Sequence, residues 1–159
     1  MKRNHDLATI VIKQLIKTGK TVAVAESLTG GGLGAAITEV AGSSEVFLGG
    51  ITTYSDTSKS KLLEVPKRLI TKHTAVSEEV AKAMADNARE LFKSDYAIST
   101  TGVAGPGKAY GKNAGTVWLA ISSKRECVAI ELSISGDRAT VRNATIESAL
   151  ATFSRILGA

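Results

Sequence analysis

Serine becomes a nucleophile when a neighbouring base takes its proton, and histidine is the usual base. The chain has only two histidines, His5 and His73, and neither lies in a glycine-rich segment, which leaves lysine as the alternative. A lysine works this way only when neutral, and partial burial beside other cations lowers its ordinary pKa of about 10.4 by several units. Ser27 stands in the run Glu26-Ser27-Leu28-Thr29-Gly30-Gly31-Gly32, while Thr52 to Lys61, the densest hydroxyl and lysine cluster, holds Tyr54 and Lys59. Tyr54 could relay protons or orient Lys59. The same cluster also reads as a solvated helix start, with hydroxyls capping and lysine stems lying along the surface.

The run from Glu26 to Gly32 admits two readings as well. Its amides and the helix that follows make a seat for phosphate or carboxylate. Alternatively, the glycines only permit close packing of helix and strand. It is not a dinucleotide fingerprint, because Ile37 stands where the third glycine belongs after Gly32 and Gly34. Gly19-Lys20-Thr21 fails as a phosphate loop, and Ser27 lacks the flanking glycines of a nucleophile elbow. Ser58 and Lys61 match the Ser-x-x-Lys pattern of penicillin-recognising enzymes, a four-residue match of low specificity.

These residues need elements to position them. Leu7, Ile10, Val11, Leu15 and Ile16 recur at helical spacing, with Asn4 or Asp6 as the expected cap and Gly19 as the stop. Thr21 to Ala25 reads as a buried strand and Leu33 to Val40 as a helix; Gly42-Ser43-Ser44 is a turn before a strand from Phe47 to Tyr54. Thr57 to Leu63 reads as a short helix ended at Val65-Pro66, and Ser77 caps a longer helix. A strand over Tyr96 to Thr101 precedes an irregular segment, Gly102 to Gly115; Thr116 to Ser122 and Val128 to Ile134 then form a hairpin, and Asp137 caps a closing helix. The alternation predicts an α/β layered sandwich, a mixed β-sheet covered by helices, as one domain over residues 1–159. Ligands of such folds sit beyond the carboxyl ends of the strands, which draws attention to the loops after residues 26, 54 and 102.

With 159 residues, 43% hydrophobic and 22% charged, the chain reads as a soluble globular protein, and no apolar run approaches the ~20 residues of a membrane span. Its basic start lacks a signal peptide's apolar stretch, so a cytoplasmic location is expected. One cysteine, Cys127, excludes an internal disulfide, and no Cys/His cluster implies a metal. The net charge of +5 is scattered, without the basic stripe and stacking aromatics of a nucleic-acid groove. Neither nucleic acid nor membrane is the expected partner. Cys127 and Trp118 read as packing residues, and His73 as a surface residue.

Taken in order, Ala25-Glu26-Ser27-Leu28-Thr29-Gly30-Gly31, Ala41-Gly42-Ser43-Ser44, Thr53-Tyr54-Ser55 with Lys59, and Gly102-Val103-Ala104-Gly105-Pro106 resemble the CinA carboxy-terminal domain family. The resemblance runs from Thr21 through Gly136-Asp137-Arg138 into the last helix. It implies the stand-alone form of a nicotinamide-nucleotide amidase, which deamidates nicotinamide mononucleotide to nicotinate mononucleotide and ammonia without a cofactor. By the same resemblance Ser27 is the nucleophile, Lys59 the general base, and Tyr54 and Arg138 assist. Thr29, Gly30, Gly31, Gly42, Ser43, Ser44, Thr53, Gly102, Ala104 and Gly105 are the expected contacts to a small phosphorylated nucleotide, and a homo-oligomer is expected. The oxyanion donors would be loop amides near Thr29 to Gly31 or near Gly102 to Gly105.

One segment departs from the family's pattern. Gly107 to Gly115 contains no acidic residue and lacks the proline that family members often carry before the next strand. That departure motivates an alternative, a non-catalytic nucleotide-binding module of the same fold.

Overall fold

The computed structural model describes residues 2–158. Helix α1 (Lys2–Thr18) leads into β1 (Val22–Glu26), α2 (Gly32–Thr38), a single 3-10 turn at Ser43–Glu45 and β2 (Phe47–Thr52). Three helices follow, α3 (Asp56–Leu62), α4 (Lys67–His73) and α5 (Glu78–Phe92), then β3 (Tyr96–Gly102), β4 (Thr116–Ser123), β5 (Cys127–Ser133) and α6 (Arg138–Ile156).

The strands form one sheet in the order β2-β1-β3-β4-β5. β1 runs parallel to both β2 and β3, whereas β4 is antiparallel to β3 and β5. The mixed sheet is the expected one, and helices cover both of its faces. Successive residues of a strand point to opposite faces. Val24 and Ile98 accordingly join one core with Leu15, Leu33, Ile37 and Phe153 from α1, α2 and α6. Their neighbours Ala25 and Ala97 join a second core with Val80, Met84 and Leu63 beneath α3 to α5. Each large aliphatic or aromatic side chain so buried contributes roughly 1.5–3 kcal/mol. On α5 the contacting residues are small: Ala81 and Ala85 meet Ala120 of β4, which lets the helix lie close to the sheet.

Several boundaries differ from the pattern-based reading. Helix α1 is already running at Lys2, so Asn4 and Asp6 lie inside it and neither is its cap. Thr21 precedes β1, because its amide and hydroxyl both engage Asp95. Strand β2 stops at Thr52, before Thr53 and Tyr54. Pro66 does more than end α3: it caps α4, a seven-residue helix absent from the periodicity reading because only Leu69 and Ile70 carry its apolar contacts. The expected caps at Ser77 and Asp137 are present, accepting from the amides of Val80 and Thr140.

Candidate active site

The carboxyl ends of β1, β2 and β3 lie side by side, with Glu26 paired to both Thr52 and Thr100. The antiparallel return of β4 brings segment 103–115 to the same edge of the sheet. A cavity of about 220 Å³ opens there. Ser27, Leu28, Tyr54, Lys59 and Arg138 line it together with residues 101–106, Ala109 and Tyr110.

Ser27 directly follows β1, and its amide donates to Thr100 O at 2.9 Å, which continues the ladder by one step. The next turn is held from within. The Glu26 carboxylate, 1% exposed, accepts from the amides of Gly31, Leu33 and Gly34 at 3.1, 2.9 and 2.8 Å. This answers the question left open by the glycine run: the start of α2 is an anion seat, and the chain's own carboxylate fills it. The left-handed Gly30 and Gly31, at φ 60° and 94°, allow the backbone to wrap around that carboxylate.

Lys59 comes from α3, where Ser55 caps the helix in a reciprocal capping box with Ser58. That box uses the Ser58 hydroxyl, and Lys61 is exposed, so the Ser-x-x-Lys match is part of a helix start. Lys59 behaves differently from its neighbours. It is 1% exposed, and its Nζ donates to Ser27 Oγ at 3.0 Å and to Thr53 O at 2.9 Å. Burial holds its amine below the ordinary lysine value of 10.5, against the opposing pull of the Asp56 carboxylate. No carboxylate among the described residues bonds directly to the amine.

Across the mouth, Arg138 Nη1 donates to Gly105 O at 2.8 Å and Nη2 to Tyr54 Oη at 2.6 Å. Tyr110 Oη donates to Asp56 Oδ1 at 3.1 Å, linking segment 103–115 to the first turn of α3. Among the described residues no group of three His, Cys, Asp or Glu side chains converges to hold a metal ion. No helix among them is long and apolar enough to cross a membrane.

The cavity therefore unites Ser27, Tyr54, Lys59 and Arg138, together with Gly102, Ala104 and Gly105. Other expected contacts are not brought to its wall. The Thr29 hydroxyl is buried against Thr100 Oγ1 at 2.7 Å. Gly30 faces Arg142, and the Gly31 amide is taken by Glu26. Thr53 is fully buried and contributes its carbonyl to Lys59, while its hydroxyl has no partner among the described residues. Gly42, Ser43 and Ser44 precede β2 and so lie at the opposite end of the parallel strands. Sequence reasoning missed Ala75, Val76, Pro106 and Tyr110 in the cavity wall, and it missed Arg142, one helical turn after Arg138.

The family model described as CinA C-terminal domain matches residues 4–157. A CinA-like protein of Citrifermentans bemidjiense is 49% identical over 144 residues, 90% of this chain and 35% of its own length. The chain thus spans about a third of the length of the curated relatives it matches. Among solved structures, a competence-damaged protein (CinA) superfamily protein of Klebsiella pneumoniae superposes with a TM-score of 0.95 at 33% identity, covering 98% of both chains. The competence/damage inducible protein CihA of Agrobacterium tumefaciens gives a TM-score of 0.93 at 33% identity, over 99% of this chain and 96% of its own.

Proposed function

This chain belongs to the CinA C-terminal domain family, and from that premise we propose that it is a nicotinamide-nucleotide amidase acting through a serine nucleophile and a lysine base. The observation that carries this reading is the buried contact of 3.0 Å between Lys59 Nζ and Ser27 Oγ.

A neutral Lys59 takes the Ser27 proton as Oγ attacks the carboxamide carbon of nicotinamide mononucleotide. Thr53 O holds the amine in line by accepting one of its protons. The tetrahedral oxyanion needs preorganised amides. Those of Gly30 and Gly31 are committed to Ser27 O and Glu26, so the available donors are Leu28 in the cavity wall with its neighbour Thr29, or Ala104 and Gly105. Lys59 then returns the proton to the departing ammonia, and water, deprotonated by the same amine, cleaves the acyl-enzyme to release nicotinate mononucleotide and restore Ser27. Arg138 and Tyr54 at the mouth orient the phosphorylated part of the substrate. With the Glu26 carboxylate in place, the start of α2 repels that phosphate.

The test is incubation of the purified protein with nicotinamide mononucleotide, with ammonia and nicotinate mononucleotide measured against a Ser27→Ala control. Turnover by the wild type and none by the variant is expected. Release from a folded variant at the wild-type rate removes Ser27 as nucleophile, and tight binding without turnover by the wild type supports the binding-module alternative.

A further inference from the structure

Arg142 touches neither the cavity nor Ser27, yet it grips the turn immediately after the nucleophile. Its Nε donates to Leu28 O at 3.0 Å and its Nη2 to Thr29 O at 2.9 Å. Gly30, left-handed at φ 60°, presents no side chain to the guanidinium: a Cβ there would lie 3.5 Å from Nη2. A planar guanidinium that spans two successive carbonyls fixes the planes of both peptides, which a single-point ammonium cannot do.

The consequence follows from peptide geometry. In a trans peptide the C=O and N–H point in opposite directions. Holding Leu28 O on α6 therefore turns the Thr29 N–H away from that helix, and holding Thr29 O turns the Gly30 N–H back to Ser27 O, which it meets at 3.0 Å. That bond in turn holds Ser27 O, and with it the Leu28 N–H of the same peptide, so Arg142 acts on the Thr29 amide directly and on the Leu28 amide through Gly30; neither amide has an acceptor among the described residues. Glu26 secures the far side of the turn through Gly31, Leu33 and Gly34. Carbonyls and amides of the segment are thus held by two opposite charges, and the two amides left over are those that follow Ser27 in the chain.

Resting on the amidase reading, we propose that Arg142 is a positioning residue that presents the Leu28 and Thr29 amides to the oxyanion formed on attack by Ser27. The rival assignment gives that task to Ala104 and Gly105, whose loop is held by Arg138 and is independent of Arg142.

The experiment compares wild type, Arg142→Lys and Arg142→Ala in steady-state kinetics, with thermal melting as the control for folding. Arg142→Lys keeps the charge and guards against loss of fold in the alanine variant. Losing a transition-state donor lowers kcat by about 100-fold with KM within about threefold. Phosphonylation of Ser27 by a fluorophosphonate probe slows in parallel, because its pentacoordinate oxyanion uses the same donors. The proposal is overturned by kcat within about threefold of wild type in the lysine variant, or by a KM that rises as far as kcat falls. If the wild type does not deamidate the nucleotide, the amidase reading fails by itself, and the probe still decides this point: slower labelling of the folded lysine variant sustains the positioning role, and equal labelling overturns it.

Discussion

Arg138 on α6 donates through Nη2 to the hydroxyl of Tyr54, 2.6 Å away and 84 residues earlier in the chain. Tyr54 sits beyond the end of β2 and is 55% exposed, so this bond, together with that of Arg138 to Gly105 O, is what orders the mouth of the cavity. Tyr54→Phe removes only the hydroxyl, and Arg138→Ala removes both bonds. If these groups meet the substrate's phosphate as proposed, each variant loses a hydrogen bond to a charged group, worth ~1.5–3 kcal/mol, and about 10- to 100-fold in kcat/KM. Both residues are too exposed for the changes to alter thermal melting, which a paired melting and kinetic measurement checks.

As the proposed base, Lys59 is expected to set the acid limb of activity. Because burial lowers its pKa below 10.5, the acid-side midpoint of kcat/KM is expected below the ordinary lysine range. The same shift makes stability depend on pH. Between the lowered value and 10.5 the unfolded chain binds the Lys59 proton and the folded chain does not, so stability rises with pH across that window. Urea unfolding of wild type and Lys59→Met at stepped pH values should show the wild type gaining on the variant as pH rises through the window; parallel curves would sink the assignment.

Glu26→Gln replaces one acceptor oxygen with an amide donor that faces backbone N–H groups. Three charge-assisted bonds are weakened or lost in a buried turn, and a destabilisation of about 2–3 kcal/mol in urea unfolding is expected. The variant also removes the negative charge that repels anions from the start of α2. Phosphate is therefore expected to stabilise Glu26→Gln more than the wild type, as thermal melting with and without phosphate would show.

Cys127 lies half-buried on β5, with its thiol donating to Lys82 O at 3.9 Å. Burial, followed by the charge of Asp86, pushes the thiol up to about 12. At pH 8 about one thiol in 10,000 is then ionised, and the thiolate is the reactive form. Reaction with a disulfide reagent should be slow in the native protein and fast in denaturant; rapid native labelling would contradict this burial.

The layered fold was legible because both faces of the sheet are covered, so β1 reads as a short continuous apolar run and β3 as a short run of Tyr96, Ala97 and Ile98 followed by hydroxyl residues, while Ser77 and Asp137 mark the starts of α5 and α6. The site was legible in types and less so in partners. Nothing in the spacing of Lys59 and Lys61 says which one is buried. That is decided by how α3 docks through Leu63 and Val65 against α5, a tertiary contact with no local signature. Glu26 was visible beside the glycines, but whether a helix start binds an external anion or an internal one depends on a carboxylate folding back by five to eight residues. Gly42-Ser43-Ser44 was drawn into the site by its resemblance to a family motif, and strand direction places it at the other end of the sheet. Helix α4 is too short and too polar on the surface for periodicity to register.

The bonds from α6 bear on when the site comes into being. Arg138 and Arg142 reach back 33, 84, 113 and 114 residues to Gly105, Tyr54, Thr29 and Leu28. Contacts of such sequence separation carry the largest loop-closure cost and form late during folding. Ser27 and Lys59 can meet once β1, β2 and α3 are assembled, but the mouth and the turn behind the nucleophile wait for the last helix to dock. Refolding followed by activity should therefore lag behind refolding followed by helix content, and a chain that has not yet finished folding carries Ser27 and Lys59 without the frame around them.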